Sequence, residues 1–177
     1  MRSSEVQIKK DLTPVDQLGI RGEIQKFEEK LSSVPGVFYG DNESCPLRHS
    51  FCGNVYIREI FIPKGTVVVG KIHRHEHPNF LLKGEVIVVT ETGGIERIKA
   101  PMSMISKPAT KRIVFASEDV VWVTIHEVGE ERDLEKIEEI VIAKSYDDLA
   151  IGHEEKLKIK SDEENVSVIK EIIKGDL

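Results

Sequence analysis

This chain of 177 residues lacks the features that mark several common protein classes. It has only two cysteines, Cys45 and Cys52, so no framework of disulfides can staple the fold. No apolar run approaches the ~20 residues of a membrane-spanning helix. The longest are of the order of residues 67–69 and 86–89. Residues 1–12 carry Arg2, Glu5, Lys9, Lys10 and Asp11 and have no apolar stretch of the kind found in a secretory leader. Basic residues number 25 against 31 acidic ones, a net charge of −6. Non-specific binding to nucleic acid or to an anionic membrane needs an excess of the opposite sign. The expectation is therefore a cytoplasmic protein with reduced thiols, without membrane or nucleic acid among its partners.

What is present is ordinary for a folded chain, with 40% hydrophobic and 32% charged residues. A chain of this length buries roughly 70% of its unfolded surface, enough for one domain with its own core. Its texture changes twice. Residues 13–34 place Ile20, Ile24, Phe27 and Leu31 at helical spacing, opposite Glu23, Lys26, Glu28 and Lys30, until Pro35 and Gly36 stop the pattern. Residues 54–128 break into short runs of β-branched residues (55–62, 67–77, 80–90, 95–99, 102–106, 112–115 and 120–128) separated by turn residues. Among these, Gly93-Gly94 suits a two-residue hairpin turn, in which both central positions take positive φ. Beyond residue 129 the chain is acidic and helical in pattern, first at Leu134, Ile137 and Ile140, then across 161–174 at Val166, Ile169, Ile172 and Ile173. Many strands at short spacing with no helix between them point to an antiparallel barrel or sandwich. The organisation read from this is an N-terminal arm with an amphipathic helix (1–53), a β-barrel (54–128) and a C-terminal helical extension (129–177).

The histidines carry the chemistry. His73, His75 and His77 stand at alternate positions, and an extended strand puts all three on one side together with Lys71. Neighbouring imidazoles are costly to bury bare and repel one another when charged, and a metal ion resolves both problems. His126 ends the run 120–126, in which Trp122, Thr124 and His126 share one face, and it can supply a ligand from a second strand. Other signals are weaker. Cys45, His49 and Cys52 lack a fourth zinc ligand and read as two buried thiols beside a histidine. Glu85 and Glu91 flank a β-run and read as solvent-facing.

The segment from Pro63-Lys64-Gly65 to Gly84-Glu85 resembles the first conserved motif of the cupin superfamily, and the segment from Ala100-Pro101 to Arg112 resembles the second. The likeness covers roughly 54–128 and is to small bacterial and phage cupin-like proteins. It implies a mainly β fold, a cupin-type antiparallel β-barrel (jelly roll), here with N- and C-terminal helical extensions. Set on the motif, His77 falls where cupins carry Glu and His73 on the second ligand, while Lys71 and Arg112 take two further ligand positions. The resemblance leaves His73 and His77 as metal ligands with His126 as the third, and His75 as an alternative if the strand is bulged. The implied cofactor is one divalent ion, Fe²⁺, Mn²⁺, Ni²⁺ or Zn²⁺. Lys71 and Arg112, if turned inward, would favour a small anionic ligand. By analogy with barrels that pair through their arms, a homodimer is expected. Two functions follow. One is a metal-dependent protein that binds a small anionic molecule, with or without catalysis. The other is a non-catalytic degenerate cupin serving as a scaffold or interaction module.

Overall fold

A computed structural model of the chain describes residues 14–33, 43–91, 94–146 and 148–149. The elements are helix α1 (Pro14–Ser32); strands β1 (Leu47–Cys52), β2 (Val55–Ile62), β3 (Val67–Val69), β4 (Ile72–His73), β5 (His77–Lys83), β6 (Glu85–Thr90), β7 (Gly94–Lys99), β8 (Met102–Ser106), β9 (Arg112–Ala116) and β10 (Val120–Glu127); helix α2 (Leu134–Val141); and strand β11 (Ile142–Ala143). The chain is mainly β, and every ladder is antiparallel. One sheet runs β1-β2-β10-β5-β8, a second β3-β9-β6-β7, and a two-stranded ribbon joins β11 to β4. Apart from the β1–β2 and β6–β7 hairpins, the chain passes back and forth between the two large sheets, which is jelly-roll connectivity.

The core lies between those sheets. Ile62, Leu81 and Trp122 of the first interlock with Val86, Val88, Ile98 and Val114 of the second. On the other side of the second sheet lies α1, whose Ile20, Ile24 and Phe27 bury against Val89 and Ile113, as the helical spacing of those residues requires. Helix α2 starts at Asp133, whose carboxylate accepts from the backbone N–H groups of Glu135 and Lys136. It covers one end of the first sheet by packing Ile137 and Val141 on Tyr56 and Val128.

Several local expectations change. Strand β1 lies ahead of residue 54 and pairs along its length with β2. The expected strand 80–90 divides at Gly84, where φ is +87° and an added Cβ would meet the Asp119 carbonyl oxygen at 2.4 Å. Pro78 and Asn79 sit inside β5 and not in a turn. Proline is tolerated there because β10 pairs with β5 only from Asn79 onward, so no partner on that side needs an N–H from residue 78. The β6–β7 register pairs Thr90 with Gly94, so Gly94 opens a strand and the turn is longer than the two-residue Gly93-Gly94 form. The buried face of α2 is Ile137 and Val141, whereas Leu134 and Ile140 are exposed. The expected helix at 161–174 lies outside the described residues. No helix among the described residues is long and apolar enough to cross a membrane.

Candidate metal centre

Strand β4 ends at His73 and β5 begins at His77, and the irregular residues between them return the chain so that both imidazoles turn inward. The alternation expected across 67–77 is therefore broken. His75 is exposed, and it contributes its carbonyl oxygen, 3.1 Å from His77 Nδ1. Lys71 follows an irregular step at Gly70 and also stays outside, where its Nζ lies 2.6 Å from Glu138 of α2. Neither residue is brought to the centre. His126 arrives from β10, where alternation turns Trp122, Thr124 and His126 into the sandwich, as their burial shows.

His73, His77 and His126 meet. One ligand nitrogen from each lies within 4.8 Å of the others, and among the described residues this is the group able to hold a metal ion. Their ring centroids stand 4.2, 4.6 and 5.2 Å apart. Among the described residues neither His73 Nδ1 nor His77 Nε2 has a hydrogen-bond partner, although both atoms are buried. With Nδ1–H of His77 donating to the His75 carbonyl, the lone pair of that ring is on Nε2. Burial pushes the His73 imidazolium down to about 2, with His77, His126, Arg112 and Arg58 adding repulsion. His126 is pushed down to about 3, again by burial first and then by His77 and Arg58. Burial also lowers His77, against the raising effect of its bond to the His75 carbonyl. All three rings are thus neutral near pH 7, the state that ligates. Three converging imidazoles, two buried and one partly buried, suit a borderline divalent ion, so the residues present fit the implied group.

A polar wall flanks the triad. Asn79 donates to Ser106 Oγ at 2.8 Å and to the His77 carbonyl at 3.2 Å, and accepts from Trp122 Nε1 at 3.1 Å. Arg112 reaches in from β9 to donate to Ser106 Oγ, and its guanidinium lies 6.0 Å from the Trp122 ring centroid. Gly70 makes room for it, since an added Cβ there would stand 3.2 Å from Arg112 Cγ. Arg58 of β2 is the cross-strand partner of Thr124. Sequence reasoning did not single out Arg58, Asn79 or Ser106. Period-two alternation counted from Tyr56 or His77 is the signal that would have placed Arg58 and Asn79 on the inner face.

Two further readings are corrected. Glu91 is not solvent-facing. It is 1% exposed beneath α1, where it accepts from Arg21 at 3.4 Å, from Tyr146 Oη at 3.3 Å and from the Lys111 backbone N–H. Cys52 is exposed and Cys45 only partly buried, while His49 pairs with the Tyr56 hydroxyl at 2.6 Å.

No family model matches the chain, and no curated protein matches it. Solved structures do. An RmlC-like cupin with a double-stranded β-helix fold from Methanocaldococcus jannaschii is 14% identical with a TM-score of 0.42, over 52% of this chain and 87% of that one. An RmlC-like cupin from Shewanella frigidimarina is 17% identical with a TM-score of 0.43, over 56% and 91%. A cupin superfamily protein from Desulfitobacterium hafniense is 10% identical with a TM-score of 0.42, over 52% and 84%. Each of these three structures is similar to this chain at low identity and over about half of its length.

Proposed function

We propose that this protein binds a divalent metal ion through His73, His77 and His126 and holds a small anionic molecule beside it. The observation that carries the reading is the convergence of three imidazoles, His77 and His126 buried and His73 partly so, whose ligand atoms lie within 4.8 Å, two of them with a buried nitrogen that no group among the described residues satisfies. A metal so held would act as a Lewis acid on a bound oxygen ligand. Histidine ligands alone bring no negative charge, and Arg112 and Arg58 stand near the triad. A dication in that field gains from a negatively charged co-ligand, which supports an anion as the bound molecule. A cytoplasmic homodimer goes with this reading. Exposed Leu82 and Ile105 on the first sheet support self-association, and light scattering on the full chain tests it.

The test of the site is metal analysis of protein purified without added metal and then equilibrated with Zn²⁺ or Mn²⁺, beside a His73→Ala variant. One ion per wild-type chain and none in the variant is the expected result. Equal occupancy in the two proteins overturns the site.

A further inference from the structure

Four buried side-chain polar atoms have no hydrogen-bond partner in the protein among the described residues, and three of them lie at one place. Two belong to the triad, His73 Nδ1 and His77 Nε2. The third is Thr124 Oγ1. Thr124 is 8% exposed and sits on the inner face of β10, two residues from His126. Across the ladders it pairs with Asn79 of β5 on one side and Arg58 of β2 on the other. His77, two residues from Asn79 on the same face, is its diagonal neighbour, a separation of roughly 7–8 Å. Asn79 uses its carbonyl and its amide within the protein, and Ser106 Oγ already receives Asn79 and Arg112. Among the described residues, the Thr124 hydroxyl is the polar group of this wall left unmatched. A buried hydroxyl without a partner is destabilising, and valine would fill the same space without that cost.

We propose that Thr124 Oγ1 and Arg58 form an oxyanion subsite beside the histidine triad, which takes a carboxylate-sized group of the bound ligand. The inference rests on the anionic-ligand reading above and deepens it by naming where the charge is received. A carboxylate placed there accepts one hydrogen bond from the Thr124 hydroxyl and faces the Arg58 guanidinium. One of its oxygens, or an adjacent oxygen of the same small molecule, comes within reach of a metal on the triad. Thr124 is thus a specificity-determining residue and not a metal ligand.

Acetate titrated into the full chain loaded with Co²⁺ tests this, read through the visible spectrum of the ion and by calorimetry. Wild type binds acetate. Thr124→Val weakens acetate at least tenfold while Co²⁺ affinity stays within twofold, Thr124→Ser restores most of the binding, and the melting temperature of the metal-free Val variant equals or exceeds that of wild type. Acetate binding unchanged in Thr124→Val overturns the subsite, as does a wild-type Co²⁺ protein that ignores acetate. A parallel loss of Co²⁺ affinity in that variant also overturns it, by making Thr124 part of the metal shell. If wild type takes up no Co²⁺, the metal reading fails by itself, and acetate is then followed on the metal-free chain by the NMR shift of the Thr124 methyl. A saturable shift supports the subsite alone, and no shift overturns it.

Discussion

His77 Nδ1 lies 3.1 Å from the carbonyl oxygen of His75, so a histidine that faces solvent fixes the tautomer of one that does not. The bond is made by the His75 backbone and leaves the His75 ring uncommitted to the centre. Replacing His75 by Ala should keep that bond and full metal occupancy. Replacing His77 by Ala should remove a ligand and lower metal affinity by at least a hundredfold. Equilibrium dialysis of both variants against Zn²⁺ checks the pair, and a large loss in His75→Ala would restore His75 to the ligand set.

The depressed histidines set a pH dependence of stability. Below about pH 6.5 the unfolded chain takes up protons at His73 and His126, while the folded metal-free chain does not until about pH 2 and about pH 3 respectively. The unfolded state therefore binds more protons across that window, and stability falls as pH falls, by up to ~1.4 kcal/mol per pH unit per histidine. Urea unfolding of metal-free protein at pH 7.5, 6 and 5 should show the loss. His126→Gln should flatten the slope. Metal release on acidification follows from the same competition between protons and the ion.

Ala109 occupies the left-handed region at φ +63°, in the turn before β9, and its N–H donates to the His73 carbonyl at 2.9 Å. A residue with a Cβ pays roughly 1–2 kcal/mol there, and glycine returns part of that relief as unfolded-state entropy. Ala109→Gly should therefore stabilise by up to ~1 kcal/mol, a rise of about 2–4 °C in melting temperature. Calorimetry decides this, and a fall would show that the turn relies on the Ala109 methyl.

Glu91 ties the arms to the sandwich. Arg21 of α1 and Tyr146 beyond β11 both donate to it, and burial raises its pKa against the lowering effect of the backbone N–H groups and Arg21. Glu91→Ala should cost about 2 kcal/mol, because buried donors lose their acceptor. Hydrogen exchange should quicken first in α1 and around Tyr146. Unchanged protection there would show that the apolar contacts of α1 hold the arm without Glu91.

Much of this was legible in the sequence for reasons of local geometry. Alternation needs no partner strand to be read, so the inward face of β10, with Trp122, Thr124 and His126, followed from residue order. The apolar repeat of α1 likewise identified Ile20, Ile24 and Phe27. Lys71 and His75 failed for the complementary reason. Irregular residues at Gly70 and between β4 and β5 reset the alternation, and no pattern counted through them can hold. Glu91 departs from expectation because a lone acid after a β-run is normally solvated, whereas here α1, Lys111 and Tyr146, all distant in sequence, close over it.

The sequence by itself determined the histidine supply, the antiparallel β character and the helical start of the chain, since these depend on residue type and short-range period. The tertiary structure decided which histidines share a site and which cations stand beside them. Those outcomes depend on strand register and on Arg58, Arg112 and Glu91 arriving from distant strands and turns, where burial sets charge state and partner alike.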